Sequence, residues 1–461
     1  MTTDSKTKQP LPLWRRIALT LIVLAMAAMA GIMAADYIIA KGLGDKIIDI
    51  QKSGQPVMFS QLASAKTLNS ADDAAMIYTK VLNSTDAADI KTIMQENAIY
   101  KRAILSGNLG QVPAEVHQKV SYDLKQFHSS MLELDRAANM EISNFDIGIT
   151  KNGKTCIENI EKAHKVMQLL SLRTLYFIAM KEYDRAGESI LSLLSTSRIF
   201  ESYPTVSASI ARLQLLGLAC DNTIILLRSG EVSDGVTGKI FNKFIEADNQ
   251  QMIIKALQAE RVFQIQGIKN ILPGSVQQLI SEDSSEFSDL INLPSSRRAR
   301  IKVRLTVSKY FDEMNNLIRV SSKPWPELIS YINEQKNDSA RIESSMTSKP
   351  YGLCSLAAAT TTIVRCTEVA LYIEKYRRAN QKLPGSLSDL AVDIPTDLYS
   401  GNSLFYTVDD IGYIIYGTGP DKINNGGDIQ PKISATTGEV EKAAEDVGIK
   451  VVTYQPQPLS N

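Results

Sequence analysis

Residues 17–35 constrain this chain more than any other stretch, because these nineteen residues are largely apolar and carry no charge. As an α-helix they would span roughly 28 Å, close to the thickness of a bilayer's hydrocarbon core. Four lysine and arginine residues precede them, and such charges favour a cytoplasmic location. We therefore predict a transmembrane signal anchor at residues 17–40 and a basic cytoplasmic N-terminus at residues 1–16. The predicted localisation is the cell inner membrane, with a single span and the C-terminal bulk exported to the periplasm.

A cleaved signal peptide is the alternative for this segment. Ala28 and Ala30 provide a small-x-small pattern of the kind that precedes signal-peptide cleavage. The apolar run continues past that point and resumes at residues 37–40. The apolar region of a secretory signal is shorter than a membrane span, so the length of this run favours an uncleaved anchor.

The chain has 50 basic and 50 acidic residues and therefore no net charge. Without a charge excess there is no long-range field that would attract a polyanion, and no nucleic-acid partner is expected. A basic run at residues 297–304 directly follows an acidic, serine-rich stretch, which favours a solvated helix start over a lipid or nucleic-acid patch. The four cysteines are too few for a disulfide scaffold. Cys156 and Cys220 are either a bridge or two buried thiols.

Changes in composition divide the exported part into four segments. The first contains a Gly54-Gln55-Pro56 break, the second has helical periodicity, and the third adds strand-like stretches. We predict a juxtamembrane neck at 41–71, an exported α-helical domain at 72–350, a long helix with a small α+β module at 351–435, and a C-terminal tail at 436–461.

Apolar residues recur every three or four positions in the 72–350 segment, which predicts a mainly α-helical bundle. Asp72 and Asp73 can cap its first helix, and the spacing between residues 112 and 140 predicts one helix. Three apolar helices follow between residues 156 and 227. The polar turn at residues 182–186 resembles the linker of a tetratricopeptide repeat (TPR), which implies a TPR-like helical hairpin.

The C-terminal module has a different pattern. Residues 353–380 predict a long helix with one apolar side. Residues 403–407 and 412–416 have strand composition and are separated by a short polar turn, as in a β-hairpin. A glycine-rich loop at residues 417–428 closes the module.

Residues 367–429 resemble the periplasmic half of the major pseudopilins of type II secretion. In that family a long helix ends in a Tyr-Arg-x-x-Asn-x-x-hydrophobic-Pro pattern, and a Pro-x-Asp-x-x-x-Gly loop, a hairpin and a Tyr-x-x-Gly-x-Asp loop follow. The chain departs from the family at its N-terminus, where no prepilin-peptidase site precedes residue 17. The matching residues are Tyr376, Arg377, Asn380, Leu383, Pro384, Pro395, Asp397, Gly401, Tyr416, Gly419 and Asp421.

Pseudopilins bind a structural calcium ion in the last of these loops. The resemblance therefore implies Asp421 and Asp428 as side-chain ligands, with Asn424 or Asn425 and backbone carbonyls completing an oxygen shell. A metal-free turn held by hydrogen bonds from its Asp and Asn side chains is the alternative.

The order of segments is also similar to a group of large, membrane-anchored bacterial envelope proteins for which no activity is known. These proteins join a Gly-x-Pro neck and a helical middle to a pseudopilin-like tail. This resemblance implies an architecture and no chemistry. The stretches that match are residues 54–56, 72–75, 182–186, 204–205 and 323–325.

Few residues suggest catalysis. The chain has three histidines, and Glu161 and His164 have the spacing of half a di-iron site. Because the second Glu-x-x-His that such a centre needs is missing, a salt bridge on a helix surface is the better interpretation. Nucleophile-elbow, phosphate-loop and zinc-protease motifs are also missing from the sequence. Enzymatic activity stays open, and the sequence favours a protein without it.

Three functional hypotheses follow. The favoured one is a protein-interaction or scaffolding module at the cell envelope, which binds envelope proteins through an apolar groove between helices of residues 156–228. The second is an exported hydrolase that uses carboxylates in a cleft of the same domain, where raised pKa values would mark the site. The third is an accessory component of a secretion or pilus-like system, which docks through residues 367–461.

Overall fold

A computed structural model of the protein describes residues 12–62, 73–85, 88–141, 153–202, 205–248, 250–280, 296–337, 348–433, 440–442 and 444–452. Helices dominate, which confirms the predicted mainly α-helical class with a small α+β part. The helices are α1 Leu13–Lys52, α2 Ala74–Ser84, α3 Ile90–Leu105, α4 Ala114–Gln126, α5 His128–Ala137, α6 Gly153–Ala179, α7 Tyr183–Ser197, α8 Val206–Ser229, α9 Asp234–Ala247, α10 Gln251–Gly267, α11 Gly274–Leu279, α12 Arg297–Ser321, α13 Trp325–Asn337 and α14 Ser348–Asn380. The strands are β1 Phe405–Asp409, β2 Gly412–Gly417, β3 Lys432–Ile433, β4 Val440–Lys442 and β5 Val447–Val452.

The chain divides into two units, and each contains two separate stretches of sequence. Unit 1 consists of residues 1–58 and 261–313, and unit 2 of residues 59–260 and 314–461. This division differs from the segments predicted from composition. Residues 261–313 group with the N-terminal helix, and the C-terminal module groups with the helical body.

Unit 1 is organised around α1, which runs without a break for 40 residues. Its N-terminal part exposes large apolar side chains, whereas Leu43, Ile47 and Ile50 are buried. The spacing of these three residues places them on one helix face. α1 packs against α11, and a Cβ at Gly44 would lie only 3.0 Å from Val276. The first part of the predicted neck is therefore a continuation of the apolar N-terminal helix α1.

Ion pairs fix the packing within unit 1. The Arg304 guanidinium donates to the Ile271 carbonyl at 2.6 Å and pairs with the Asp36 carboxylate. Lys46 pairs with Asp312 at 2.6 Å. Arg304 therefore has a structural role, and it lies in the basic run that the sequence analysis interpreted as a solvated helix start.

Among the described residues, three helices are long and apolar enough to cross a membrane by length and composition: α1, α8 and most of α14. The most apolar window of α1 is 0% buried within the protein, compared with 61% for α8 and 72% for α14. α8 and α14 pack against each other inside unit 2. Their apolar character is thus explained by protein packing, whereas the apolar surface of α1 has no such cover.

The helical body of unit 2 has one large apolar core formed mainly by α2, α3 and α5–α9. Asp73 caps α2 by accepting a hydrogen bond from the Ala75 N–H at 3.0 Å, as predicted; Asp72 lies outside the described residues. The single helix predicted between residues 112 and 140 is instead two helices that meet at Phe127. α6 and α7 form the predicted hairpin, and Lys181 adopts a φ of 60° in the turn between them.

The C-terminal part of unit 2 is a three-stranded antiparallel sheet in the order β1-β2-β5. One face packs on α14 through a core that includes Cys366, Ile373, Tyr413 and Val451. β1 and β2 are the predicted hairpin, with Phe405 opposite Tyr416. β5 was not predicted, because the sequence analysis assigned residues 436–461 to a tail.

Candidate functional site

The glycine-rich loop at residues 417–428 is held by its own polar groups. The Asp421 carboxylate accepts hydrogen bonds from the Ile423 N–H and from Asn425 Nδ2, both at 3.0 Å. The first of these bonds closes an Asx turn, in which a side chain replaces a backbone acceptor. Both oxygens of Asp421 therefore already accept a hydrogen bond within the loop.

Asn424 makes a second turn of the same kind. Its Oδ1 accepts from the Gly426 N–H at 2.9 Å and from the Tyr416 hydroxyl at 3.1 Å. Gly426 has a φ of +73°, a conformation that glycine adopts without steric cost. The loop thus turns at a glycine, and the hydrogen bond from Tyr416 connects this turn to strand β2.

The centre of the loop is a carboxylate that the sequence analysis missed. Asp446 is buried, and it accepts hydrogen bonds from the backbone N–H groups of Asn425 at 3.2 Å, Gly427 at 2.8 Å and Asp428 at 3.1 Å. It lies in the stretch assigned to the tail, some twenty residues beyond the loop. Only the pairing of β5 with β2 brings it there.

These contacts bear on the predicted calcium site. Calcium needs six to eight oxygen ligands with free lone pairs directed at one point. The Asp421 and Asn424 oxygens instead face N–H and O–H donors of the protein, and the described residues include no group of three or more His, Cys, Asp or Glu side chains that could hold a metal. A carboxylate oxygen that accepts one hydrogen bond keeps a second lone pair, so these contacts leave both alternatives open: the calcium site at Asp421, Asn424, Asn425 and Asp428 and the metal-free turn both stay predictions.

A thermal unfolding experiment distinguishes the two. We expect the unfolding midpoint of the full-length protein to be the same in calcium and in chelator, because a ligand stabilises only a state that binds it. Asp421→Ala should lower the midpoint equally in both solutions, since it removes the Asx turn. A rise of the midpoint in calcium that Asp421→Ala and Asp428→Ala abolish would establish the metal site instead.

The helical body contains a groove between α4, α5, α6 and α7, here called the body groove, with a volume of about 370 Å³. Leu132 and Met180 are exposed in it although both are large apolar side chains. The sequence analysis placed such a groove among helices of residues 156–228, but α4 and α5 also contribute to its walls. Its lining residues are Ser121, Leu124, Lys125, His128, Met131, Leu132, Asp135, Arg173, Tyr176, Phe177, Met180, Glu182, Arg185 and Glu188.

One side of the body groove is fixed by a buried arginine. The Arg173 guanidinium makes a two-point contact with the Asp135 carboxylate, at 2.6 and 3.1 Å. Its Nε donates to the Ser189 hydroxyl at 2.9 Å, and the Ser192 hydroxyl donates to Asp135 at 2.5 Å. Such a fork-to-carboxylate pair orients both partners, so this side of the groove is rigid.

The other side presents a cation on an aromatic face. The Arg185 guanidinium lies 4.1 Å from the centre of the Phe177 ring and pairs with Glu182. An arginine in this position is attracted by the ring quadrupole. The groove thus combines apolar side chains with two ion pairs, Arg173–Asp135 and Arg185–Glu182.

His128 lines the body groove, whereas His117, His164 and Cys220 lie elsewhere in structural settings. His117 Nδ1 is 2.7 Å from the Tyr100 hydroxyl, and burial lowers the pKa of His164. Burial raises the pKa of the Cys220 thiol well above its usual value, which favours the unreactive protonated form. Cys220 is a free thiol, and the side chain of Cys156 lies outside the described residues.

Glu368 is a carboxyl group whose pKa is raised, to about 7, first by burial and then by the nearby Asp248 carboxylate. It lies on α14, away from the body groove, and its Oε1 has no hydrogen-bond partner within the described residues. The Arg365 guanidinium donates to Asp248 at 2.7 Å and to the Thr396 carbonyl at 2.8 Å. Arg365 therefore pairs with Asp248 and only partly offsets the charge at Glu368.

Comparisons of this chain with protein-family models, with curated proteins and with solved structures gave no match.

Proposed function

We propose that this is a single-pass, membrane-anchored protein whose exported helical body binds another envelope protein through the body groove. α1 is the anchor, with residues 17–40 in the bilayer and residues 1–16 in the cytoplasm. The proposal includes two structural resemblances. The α6–α7 hairpin is TPR-like, and residues 367–429 form a pseudopilin-like module.

The exposed apolar surface of α1 supports the membrane part of this proposal. Large apolar side chains between Leu13 and Ile38, with the exception of the partly buried Ile32, are more than half exposed, and they surround the helix on all sides. An isolated water-soluble protein rarely exposes so much contiguous apolar surface. A bilayer would cover this surface and leave the buried stretch after Leu43 outside the membrane.

The composition of the body groove supports the proposal that the helical body binds another protein. Leu132 and Met180 are apolar and exposed, and they lie beside paired charges at Arg173 and Arg185. Apolar anchors with a satisfied polar rim are the usual composition of a protein-binding surface. Of the three acids that line this groove, Asp135 and Glu182 are paired with arginines, and the carboxyl whose pKa is raised, Glu368, lies outside it, which favours binding over the hydrolase alternative.

Site-specific photo-crosslinking in living cells tests this function. A photo-crosslinking amino acid at Leu132 should give a discrete product with an exported protein, since Leu132 lies in the groove. Met94 on α3 is the matched control, because both side chains are 54% exposed and Met94 lies outside the groove. Products should be identified by mass spectrometry.

Two results would contradict the proposal. If Leu132 and Met94 give the same products, the groove is not a specific surface. If the product at Leu132 is with a cytosolic protein, the orientation of the chain is opposite to that proposed.

A further inference from the structure

A second cavity in unit 2, here called the α8-end cavity, has a lining with an unusual charge composition. Its volume is about 560 Å³, within the range of small-molecule sites. Most of its walls are apolar, two of its residues are cations, and none of its lining residues is acidic. The lining residues are Ile104, Leu105, Ser106, Gly107, Leu109, Ile178, Lys181, Tyr183, Ile225, Arg228, Ser229 and Val452.

Arg228 is the cation that has no counterpart. It is half-buried in the last turn of α8, and it makes no ion pair or hydrogen bond with any residue that the structure describes. Burial lowers the pKa of its guanidinium, and no neighbouring carboxylate offsets this effect. A partly buried charge without a partner is costly. Arginines elsewhere in this unit, such as Arg173 and Arg212, do have carboxylate partners.

Lys181 adds a second positive charge at the same cavity. It is exposed in the α6–α7 turn, and its backbone φ of 60° is a conformation that non-glycine residues seldom adopt. No ion pair of Lys181 with another described residue is found. Two cations at one cavity create a positive potential that only an anion can neutralise.

Part of the apolar lining is held in place by close packing. The Tyr183 ring lies directly against the backbone of Gly230, where a Cβ would be 2.1 Å from the ring. Leu105 and Leu109 are each 38% exposed, so they present apolar surface to the cavity and to solvent. The cavity therefore offers an anion site and an apolar site side by side.

We propose that the α8-end cavity binds an amphipathic anion, which places a carboxylate or phosphate head at Arg228 and Lys181 and an apolar tail against Leu105, Leu109 and Ile225. The head would make the charge-assisted hydrogen bonds that Arg228 lacks. This site is separate from the body groove, and it does not depend on the function proposed there.

Equilibrium dialysis on the full-length protein in lipid nanodiscs tests the proposal, with empty nanodiscs as the blank. The probes are octanoate, octyl phosphate, octanol and inorganic phosphate. Octanoate or octyl phosphate should bind at least about tenfold more tightly than octanol, because a charge-assisted hydrogen bond contributes that much. Inorganic phosphate alone should bind far more weakly. The stronger of the two anionic probes identifies the head group.

Variants locate the site. Arg228→Gln should weaken binding of the anionic probe about tenfold, and Leu105→Gln should weaken it through the tail. Arg136→Gln, at an exposed arginine on α5, is the matched control and should leave binding unchanged. Thermal unfolding of each variant confirms that it is folded.

Three outcomes would overturn the proposal. Equal binding of octanol and octanoate would show that charge plays no part. Unchanged binding in folded Arg228→Gln would place the anion elsewhere. Binding that appears only after removal of residues 453–461 would make that segment, rather than a free ligand, the occupant of the cavity.

Discussion

Asp397→Ala is expected to lower the free energy of unfolding of the C-terminal module by about 4 kcal/mol, the usual cost of removing one partner from a buried charged network. The Asp397 carboxylate is fully buried. It accepts from the backbone N–H groups of Tyr399 at 3.0 Å, Ser400 at 3.1 Å and Thr418 at 3.2 Å, and from the hydroxyls of Ser400 at 2.6 Å and Thr418 at 2.9 Å. Alanine would leave these donors without an acceptor.

The physical reason is that Asp397 joins two separate parts of the module. Ser400 belongs to the loop that follows α14, and Thr418 directly follows strand β2. Asn at this position would keep the shape but would turn an amide N–H₂ group towards donors, so Asp397→Asn should recover only part of the loss. Amide hydrogen exchange at Thr418 and along β2 measures the local free energy of opening.

Asp410 provides the matched control for this experiment. It is exposed in the turn between β1 and β2, so Asp410→Ala should change exchange at Thr418 little. Equal protection in Asp397→Ala and Asp410→Ala would mean that the hydrogen bonds of Asp397 do not hold the module together.

The second large effect concerns pH. The pKa of Glu368 is raised from 4.5 to about 7 in the folded protein, by burial first and by Asp248 second. The folded state therefore binds a proton more tightly than the unfolded state. The contribution of Glu368 to the free energy of unfolding is fully present below about pH 4.5. It decreases by about 3 kcal/mol in total as the pH rises through 7.

Glu368→Gln should remove this loss, because glutamine carries no charge at any pH. We expect the variant to be more stable than the unchanged protein at pH 8 by up to about 3 kcal/mol, and to differ little at pH 5. Urea unfolding followed by circular dichroism at the two pH values measures the difference.

Glu161→Gln is the control here, since Glu161 is exposed on α6 and should show no such pH-dependent gain. A Glu368→Gln variant that is equally destabilised at pH 5 and pH 8 would indicate that the carboxylate makes a required contact and does not carry an unfavourable charge.

Local features of the sequence predicted local structure well. The hairpin of α6 and α7 follows from apolar periodicity and a polar turn, and the start of α2 follows from the capping side chain of Asp73. These predictions succeeded because each depends on residues within one or two helical turns. The break at Phe127 was missed because the apolar spacing of the two helices continues across it.

Features that depend on distant residues could not be predicted in the same way. Strand β5 lies in the stretch that was predicted to be a tail, and Gly448 interrupts its apolar run. In the sheet, Gly448 pairs with Tyr416, and a Cβ at Gly448 would lie 2.2 Å from the Ile415 carbonyl oxygen. The glycine is thus needed for close approach of the strands, a requirement that only the paired structure reveals.

The candidate sites show the same limit. The sequence predicted that helices of residues 156–228 would form a groove, but not that α4 and α5 would complete it. It pointed to the loop at residues 417–428, but not to Asp446 as the acceptor at its centre. The α8-end cavity had no sequence pattern at all, because its walls come from four separate stretches of the chain.

The unbroken course of α1 has a mechanical consequence. At about 1.5 Å per residue, its 40 residues form a rod roughly 60 Å long. Leu43, Ile47 and Ile50, near the C-terminal end of this rod, are buried in unit 1. The helix is continuous between these residues and its N-terminal part, so it contains no loop at which it could bend. A partner that rotates or tilts the exposed N-terminal part of the rod would therefore turn the rest of unit 1 by the same angle.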